Sequence, residues 1–351
     1  MKKTTTPLEL TNGSQATKTK AEISVLAPRN RDKERRAALA KKALRLGELV
    51  DDRNTGKLGE EVIKLAQAMI LCTLPYSATT ERKITRKARL GDGSTLSVTF
   101  SAGMDDVPLP YGADRKLLAW ILDRAITSDS PSIGWDSAWE YQKELGLSRS
   151  GKNNRDLRER FIRISGLNIN IQRQDTTSVA GRNFSIIERY FLPRSIHGAK
   201  KEADQPTLPG LPTHEPYEVR LSQTLYDDIR KHHVVVPRGL WMQTKGNSQV
   251  QDMVLWLYWR CYAAQNESVI PWNALADQFP HDSNRRRMRQ HAREAIRLLR
   301  HLWPGCRLEA LDHGIWVDRA TQPLLLDDPT KGRIRRLGPS KTSQPDRQSI
   351  M

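Results

Sequence analysis

The sequence predicts a mostly helical α+β fold made of two successive units, each a pair of short helices joined by a polar turn and followed by a β-hairpin. Three observations predict it. Apolar residues recur at three- and four-residue steps in several segments, as in helices with one buried stripe. Alternating segments flank Gly91-Asp92-Gly93 and Asp312-His313-Gly314, which mark hairpins. The order helix, turn, helix, hairpin occurs twice, once before and once after a proline-rich stretch. At 351 residues the chain is long enough for two cores of ordinary size with tails to spare.

Residues 1–57 are rich in Thr, Lys, Arg and Ala, and Arg29 to Arg45 carries Arg31, Lys33, Arg35, Arg36, Lys41, Lys42 and Arg45 around short apolar residues. This composition predicts a basic, largely disordered arm that turns helical on a partner. Residues 58–196 form the first predicted domain. Leu58 to Leu74 has a helical pattern through Val62, Leu65, Ala66, Met69 and Ile70, and Lys83 to Arg89 with Thr95 to Ser101 makes a hairpin. Asp114 to Ala125 places Leu117, Leu118, Ile121 and Ala125 on one helical face. A further short helix starts at Trp135, is capped by Asp136 and stops at Gly146-Leu147. After the polar turn Ser148 to Asn153, a helix from Asn154 to Ser165 turns Leu157, Phe161 and Ile164 inward and Arg155, Arg158 and Arg163 outward. Leu167 to Gln172 and Phe184 to Leu192 then form a hairpin whose basic tip carries Arg173, Thr176, Thr177, Gly181 and Arg182.

The stretch 197–216 holds Pro206, Pro209, Pro212 and Pro216, which neither continue a helix nor pair in a central strand, and so predicts a linker. Residues 217–322 repeat the order. Val250 to Ala263 is a long apolar helix with Met253, Trp256 and Leu257 inward. Pro271 to Phe279 is a short helix, and Pro280 to Asn284 makes the turn. From Arg285 to Trp303, Arg286, Arg289, Arg293, Arg297 and Arg300 fall on one stripe, with Met288, Ala292, Ile296, Leu299 and Leu302 opposite. Pro304-Gly305 ends that helix, and Cys306 to Leu311 with Gly314 to Arg319 makes the second hairpin. Residues 323–351 form a polar basic tail with Lys331, Arg333, Arg335 and Arg336. A helix pair whose second member carries arginines, followed by a hairpin, is the pattern of a winged helix. The full expectation is therefore tandem winged-helix domains with β-hairpin wings.

Charge supplies the functional expectation. Lysine plus arginine number 57 against 40 acidic residues, a formal charge of +17, so the chain attracts polyanions. A charged helical stripe is usually a solvated face. Here Glu294 is the only acid along Arg285 to Arg300, and like charges one turn apart cost helix stability unless an anion relieves them. Double-stranded DNA is the expected anion. In the second domain Asn284, Arg285, Arg286, Arg289, Arg293, Arg297 and Arg300 are expected to contact it. In the first, Arg149, Lys152, Asn154, Arg155 and Arg158 are expected to do so, with Arg173 and Arg182 on the wing. The two helices are expected about one helical turn of DNA apart.

Other classes lack their residues. Cys72, Cys261 and Cys306 are too few and too scattered for a zinc pair or a disulfide framework, which fits a reducing cytoplasm. Met1 to Gln15 has no apolar core of signal-peptide length, and no apolar run approaches a membrane span. No GxxxxGK[ST], GxSxG or HExxH occurs, and His232-His233 are adjacent rather than spaced as metal ligands. Asp156 and Arg160 have the spacing of an ordinary surface ion pair. No catalytic residue, metal or cofactor is expected. Two rival readings of the residues are a winged-helix repressor, which would use the same modules without opening DNA, and a nicking or priming enzyme. An RNA-binding role is disfavoured because aromatic residues do not cluster with the arginines.

One series of motifs carries a family resemblance. Leu109-Pro110-Tyr111-Gly112, then Arg115-Lys116-Leu117-Leu118-Ala119-Trp120-Ile121, then Glu144-Leu145-Gly146-Leu147 with Ser150-Gly151, resembles the plasmid-encoded RepA-type (TrfA-like) replication initiators. The resemblance covers about residues 58–320 and is closer in the first domain than in the second. It departs at Ala113-Asp114 and Asp123-Arg124, expected on the outer face of the helix. Leu109, Tyr111, Leu117, Leu118 and Trp120 are expected in the core by their apolar character. The resemblance implies binding to direct repeats (iterons) at a plasmid origin and opening of an adjacent A·T-rich segment. It also implies recruitment of the host initiator and replicative helicase. A homodimer away from DNA is a further expectation.

Overall fold

The computed structural model describes residues 20–144, 146, 151–192, 217–244, 246–279 and 285–325. The chain divides into a unit that ends at Glu48 and a larger one that begins at Leu49. Helix α1 (Lys20–Asn54) supplies the described part of the first. The expected disordered arm is therefore helical over these residues. From Glu34 to Arg45 the chain uses only Ala, Leu, Lys, Arg and Glu, the residues that lose least on entering a helix.

In the larger unit a 3-10 turn (Lys57–Gly59) leads to β1 (Val62–Ala66), α2 (Gln67–Leu71), β2 (Lys83–Arg89), β3 (Thr95–Ala102) and α3 (Asp114–Thr127). There follow β4 (Ser132–Trp135), α4 (Ala138–Glu144), α5 (Gly151–Ser165), β5 (Leu167–Gln174), β6 (Val179–Ser185) and β7 (Ile187–Phe191). After residue 216 come β8 (Tyr217–Leu221), α6 (Gln223–Lys231), β9 (His233–Pro237), α7 (Arg238–Gln243) and α8 (Ser248–Ala263). The described chain ends with β10 (Ser268–Pro271), α9 (Trp272–Ala276), α10 (Arg285–Leu302), β11 (Arg307–Ala310) and β12 (Gly314–Asp318). Among the described residues the strands form four small antiparallel sheets, in the orders β1-β9, β2-β3-β5-β6, β4-β8-β7 and β10-β12-β11. The protein is thus mixed α and β.

Three expectations are corrected. The helical pattern over Leu58 to Leu74 resolves into the 3-10 turn, β1 and α2, because Val62–Ala66 finds a partner in the valine-rich His233–Pro237, and that pairing overrides a three-four spacing. The first predicted wing does not stand alone. Its strand β5 pairs with β6 on one side and β3 on the other, so two hairpins merge into one four-stranded sheet, while Ile187–Phe191 leaves for a different sheet. Residue 217 does not open a separate fold. Strand β8 lies between β4 and β7, its Val219 and Leu221 are fully buried, and the Tyr217 ring stacks on Trp135 at 5.3 Å. An apolar strand face of this kind needs the first half's core to cover it.

Burial of Trp120 organises the first half. Its ring meets Trp135 and Tyr141 edge-on, each at 5.2 Å, and Trp135 stacks on Phe161 at 5.4 Å. Leu109, Leu117, Leu118 and Trp120 are buried, as expected of the motif series, and Tyr111 is half-buried beneath the Arg163 guanidinium. Around the second half's axis, α8 buries Val250 through Trp259, so this helix is central and not amphipathic. Its start is capped by Asn247, whose side chain accepts from the N–H groups of Gln249 and Val250.

Arg115 joins the halves. Its Nε donates to the Gly112 carbonyl (2.8 Å), its Nη2 to the carbonyls of Leu74 (2.9 Å) and Pro75 (2.8 Å), and its Nη1 pairs with Asp252 of α8. Gly112 adopts φ +53°, a conformation that suits glycine, and turns its own N–H onto Pro75. No helix among the described residues is long and apolar enough to cross a membrane.

Candidate nucleic-acid interface

Among the described residues, helix α10 is the most strongly sided element. Met288, Ala292, Ala295, Ile296, Leu299 and Leu302 are buried against α8 and β11. Arg286, Arg293, Arg297 and Arg300 are exposed along the other side, and Arg285 is exposed at the start of the helix. Among the described residues none of these five arginines has a carboxylate partner. Arg297 Nε instead donates to the carbonyl of Arg293 at 3.3 Å. The row is therefore a line of uncompensated charge mounted on a rigid, core-packed helix. Ahead of it stand α8, β10 and α9, and behind it β11 and β12 close a three-stranded sheet with β10.

Arg289 departs from the expected row. It is half-buried with its guanidinium 5.6 Å from the centre of the Trp272 ring, and its Nε is enclosed without a hydrogen-bond partner. It braces α9 against α10, a cation–π contact rather than a projecting charge. Asn284 lies outside the described residues.

The first half brings fewer of its expected residues to the surface. Arg149 lies outside the described residues, as do the side chains of Lys152, Asn154 and Arg155 in the opening of α5. Arg158 is exposed, while Leu157, Phe161 and Ile164 are buried as the spacing predicts. Arg163 does not project outward. Its Nε and Nη2 donate to the two oxygens of buried Asp114 at 2.7 and 3.0 Å, and Arg160 approaches the same carboxylate at 3.7 Å. Asp114 also accepts from the Tyr111 N–H. The second departure from the family motif, Asp123, is likewise buried. It accepts from the Lys64 N–H at 2.7 Å and pairs with Arg238, and desolvation holds its carboxyl above the ordinary aspartate range despite those partners. Both aspartates thus face the interior as acceptors, and not the outer face of the helix.

The expected basic wing is also neutralised. Arg173 pairs with Asp92 and reaches Ser94 Oγ at 3.1 Å, and Arg182, on strand β6 rather than in the loop, lies 3.5 Å from Asp228. At the tip sits Asp175, whose carboxylate accepts from the N–H groups of Thr177 and Ser178, each at 2.7 Å. Those hydrogen bonds pull its pKa down to about 2, so the tip carries a fixed negative charge.

A second charged surface escaped the sequence reading. Strands β2, β3, β5 and β6 turn one apolar face inward and leave the other open, lined by Lys83, Thr85, Lys87 and Arg89 of β2 and by hydroxyl and amide side chains of the other strands. Its signal was present as the alternation in Lys83-Ile84-Thr85-Arg86-Lys87-Ala88-Arg89. No group of three or more His, Cys, Asp or Glu among the described residues is placed to hold a metal ion.

No protein-family model and no curated protein matches the chain. Two crystal structures of domains 2 and 3 of RctB are similar to it at low identity. One has 12% identity and a TM-score of 0.39, covering 68% of this chain and 83% of that one. The other, a selenomethionine derivative, has 10% identity and a TM-score of 0.46, covering 74% of this chain and 100% of that one.

Proposed function

We propose that this chain is a sequence-specific duplex-DNA-binding protein that acts as a replication initiator, with α10 as its principal reading element. The observation that carries the binding is the exposed row Arg286, Arg293, Arg297 and Arg300, without carboxylate partners among the described residues, on a helix whose opposite face is core. A guanidinium row of this kind offers forked donors to phosphates and to the O6 and N7 atoms of guanine. The order α8, β10, α9, α10, β11, β12 supports reading this half as a winged helix with α10 in the major groove. For the first half the reading rests on α3, β4, α4 and α5 alone, since its hairpin is absorbed into a larger sheet.

The replication role rests on the motif series from Leu109 to Gly151 and its resemblance to RepA-type initiators. That resemblance brings the iteron target, the opening of an A·T-rich segment and the host initiator and helicase as partners. A footprint of the purified chain on the DNA around its own gene tests both levels. Protection of tandem direct repeats is expected, with permanganate-reactive thymines in an adjoining A·T-rich stretch. Protection without reactive thymines would leave the binding intact and replace initiation by repression. The double variant Arg293→Ala, Arg297→Ala should lose affinity and flatten the log–log salt dependence by about two units of slope. Wild-type binding by that variant would remove α10 from the interface.

A further inference from the structure

We propose that the open face of the four-stranded sheet β2-β3-β5-β6 is a second nucleic-acid surface, seated on the sugar–phosphate backbone of the duplex beside the segment that α10 reads. The inference rests on the duplex-binding reading above and adds a surface that reading does not use.

The pairing registers stack the open face into four rows. They are Lys83, Ser101, Asn168 and Ser185; then Thr85, Thr99, Asn170 and Asn183; then Lys87, Ser97, Gln172 and Gly181; then Arg89, Thr95, Gln174 and Val179. These rows contain no carboxylate, no aromatic ring and one apolar side chain, Val179. The opposite face buries Ile84, Val98, Phe100, Ile169 and Phe184, and its arginines include Arg173 and Arg182, which pair with Asp92 and Asp228. Neighbouring polar groups hold one another in place, with Thr85 Oγ1 2.9 Å from Thr99 Oγ1, Ser185 Oγ donating to Asn168 at 2.7 Å, and the Asn170 amide donating to Asn183. The face lines a groove of about 1130 Å³ that extends to Ala274 and Asp277, at the end of the helix preceding α10.

An open antiparallel face is commonly polar, and lysines on an edge strand commonly discourage sheet-to-sheet association. Neither accounts for this composition. A solvated face carries both signs of charge, and edge protection does not call for hydroxyl and amide rows on the inner strands. Here the cations Lys83, Lys87 and Arg89 are all exposed, and no salt bridge engages them among the described residues. Among the described residues that line the groove, acids stand only at its ends, as Asp175, ionised and held by Thr177 and Ser178, and Asp277. The three cations spread over about 20 Å of strand, a length over which one DNA strand presents about six phosphates. Hydroxyl and amide groups suit phosphate and sugar oxygens, which position a protein without reading sequence. The lack of aromatic rings argues against a single strand, whose bases need stacking platforms.

The test uses the full chain and two probes, a 40-base-pair duplex of random sequence and a 40-nucleotide oligo-dT, read by fluorescence anisotropy across a salt series. The variant Lys83→Gln, Lys87→Gln, Arg89→Gln should bind the duplex roughly tenfold more weakly near 0.1 M salt, with the slope reduced by about two to three units. The pair Lys83→Arg, Lys87→Arg should retain wild-type binding, which separates lost charge from lost structure. Unchanged affinity and slope in the triple variant would overturn the proposal. So would a larger loss on oligo-dT than on duplex, or a shift in sedimentation from dimer to monomer at unchanged slope, which would assign the face to a second copy of the chain. If wild-type protein binds neither probe, the duplex-binding reading itself fails. If Arg293→Ala, Arg297→Ala weakens duplex binding and the sheet variant does not, only the present inference fails.

Discussion

At Gly314 the chain has no room for a side chain. A Cβ there would meet the carbonyl oxygen of Ile270 and stand 3.0 Å from its carbonyl carbon, where β12 passes β10. Gly314→Ala should therefore destabilise the protein by about 1–3 kcal/mol, read as a lower urea midpoint at unchanged m-value. The residue was legible only as a hairpin turn signal; the close strand approach that requires glycine is a tertiary fact. Charged residues divide the same way. The i,i+3 and i,i+4 spacing correctly turned Leu157, Phe161 and Ile164 inward. It could not show that Arg163 bends back to Asp114, because a single sequence does not reveal which acid from a distant element lies beneath a helix. Arg289 was misplaced for a similar reason, with Trp272 of α9 supplying a ring over which the guanidinium settles.

Among elements, α10 was read almost completely, since an 18-residue helix with strict sidedness repeats its message several times. Short elements repeat theirs too few times. The five residues of β1 fit a helical spacing as well as a strand, and only the partner β9 decides between them. The helices α3 and α8 are coupled through a buried ion pair, Arg115–Asp252, with side chains 10% and 9% exposed. Arg115→Leu should cost about 3–5 kcal/mol, because Asp252 is left charged in the interior and three carbonyls lose a donor. Adding Asp252→Leu should recover part of that loss, and thermal unfolding of the two variants measures the difference. Arg115, a cationic residue of the motif series, thus has a structural role.

For the whole molecule, the expected division at a linker gives way to interleaved halves. Strand β8 completes a sheet with β4 and β7, and β9 pairs with β1, although residues 193–216 separate both from the first half in sequence. A protease site placed near residue 205 and cut after folding should leave two fragments that co-elute in gel filtration and unfold in one transition. Separation of the fragments without denaturant would show that the halves are independent after all. Proline content marks where a chain leaves regular structure, and it carries no information on where the chain next takes up a partner. The predicted linker lies outside the described residues, and the return of β8 and β9 to strands of the first half was not legible from the prolines.

The pairing of β1 with β9 also sets a timetable for synthesis. Val62–Ala66 leaves the ribosome long before His233–Pro237 exists, and Ser132–Trp135 likewise waits for Tyr217–Leu221. Each waiting segment is an open strand edge with apolar residues that attract other nascent chains. Closure of these two sheets is therefore delayed until translation has passed Pro237, and holding their two edges apart from neighbours is the demand this architecture places on the cell's chaperones.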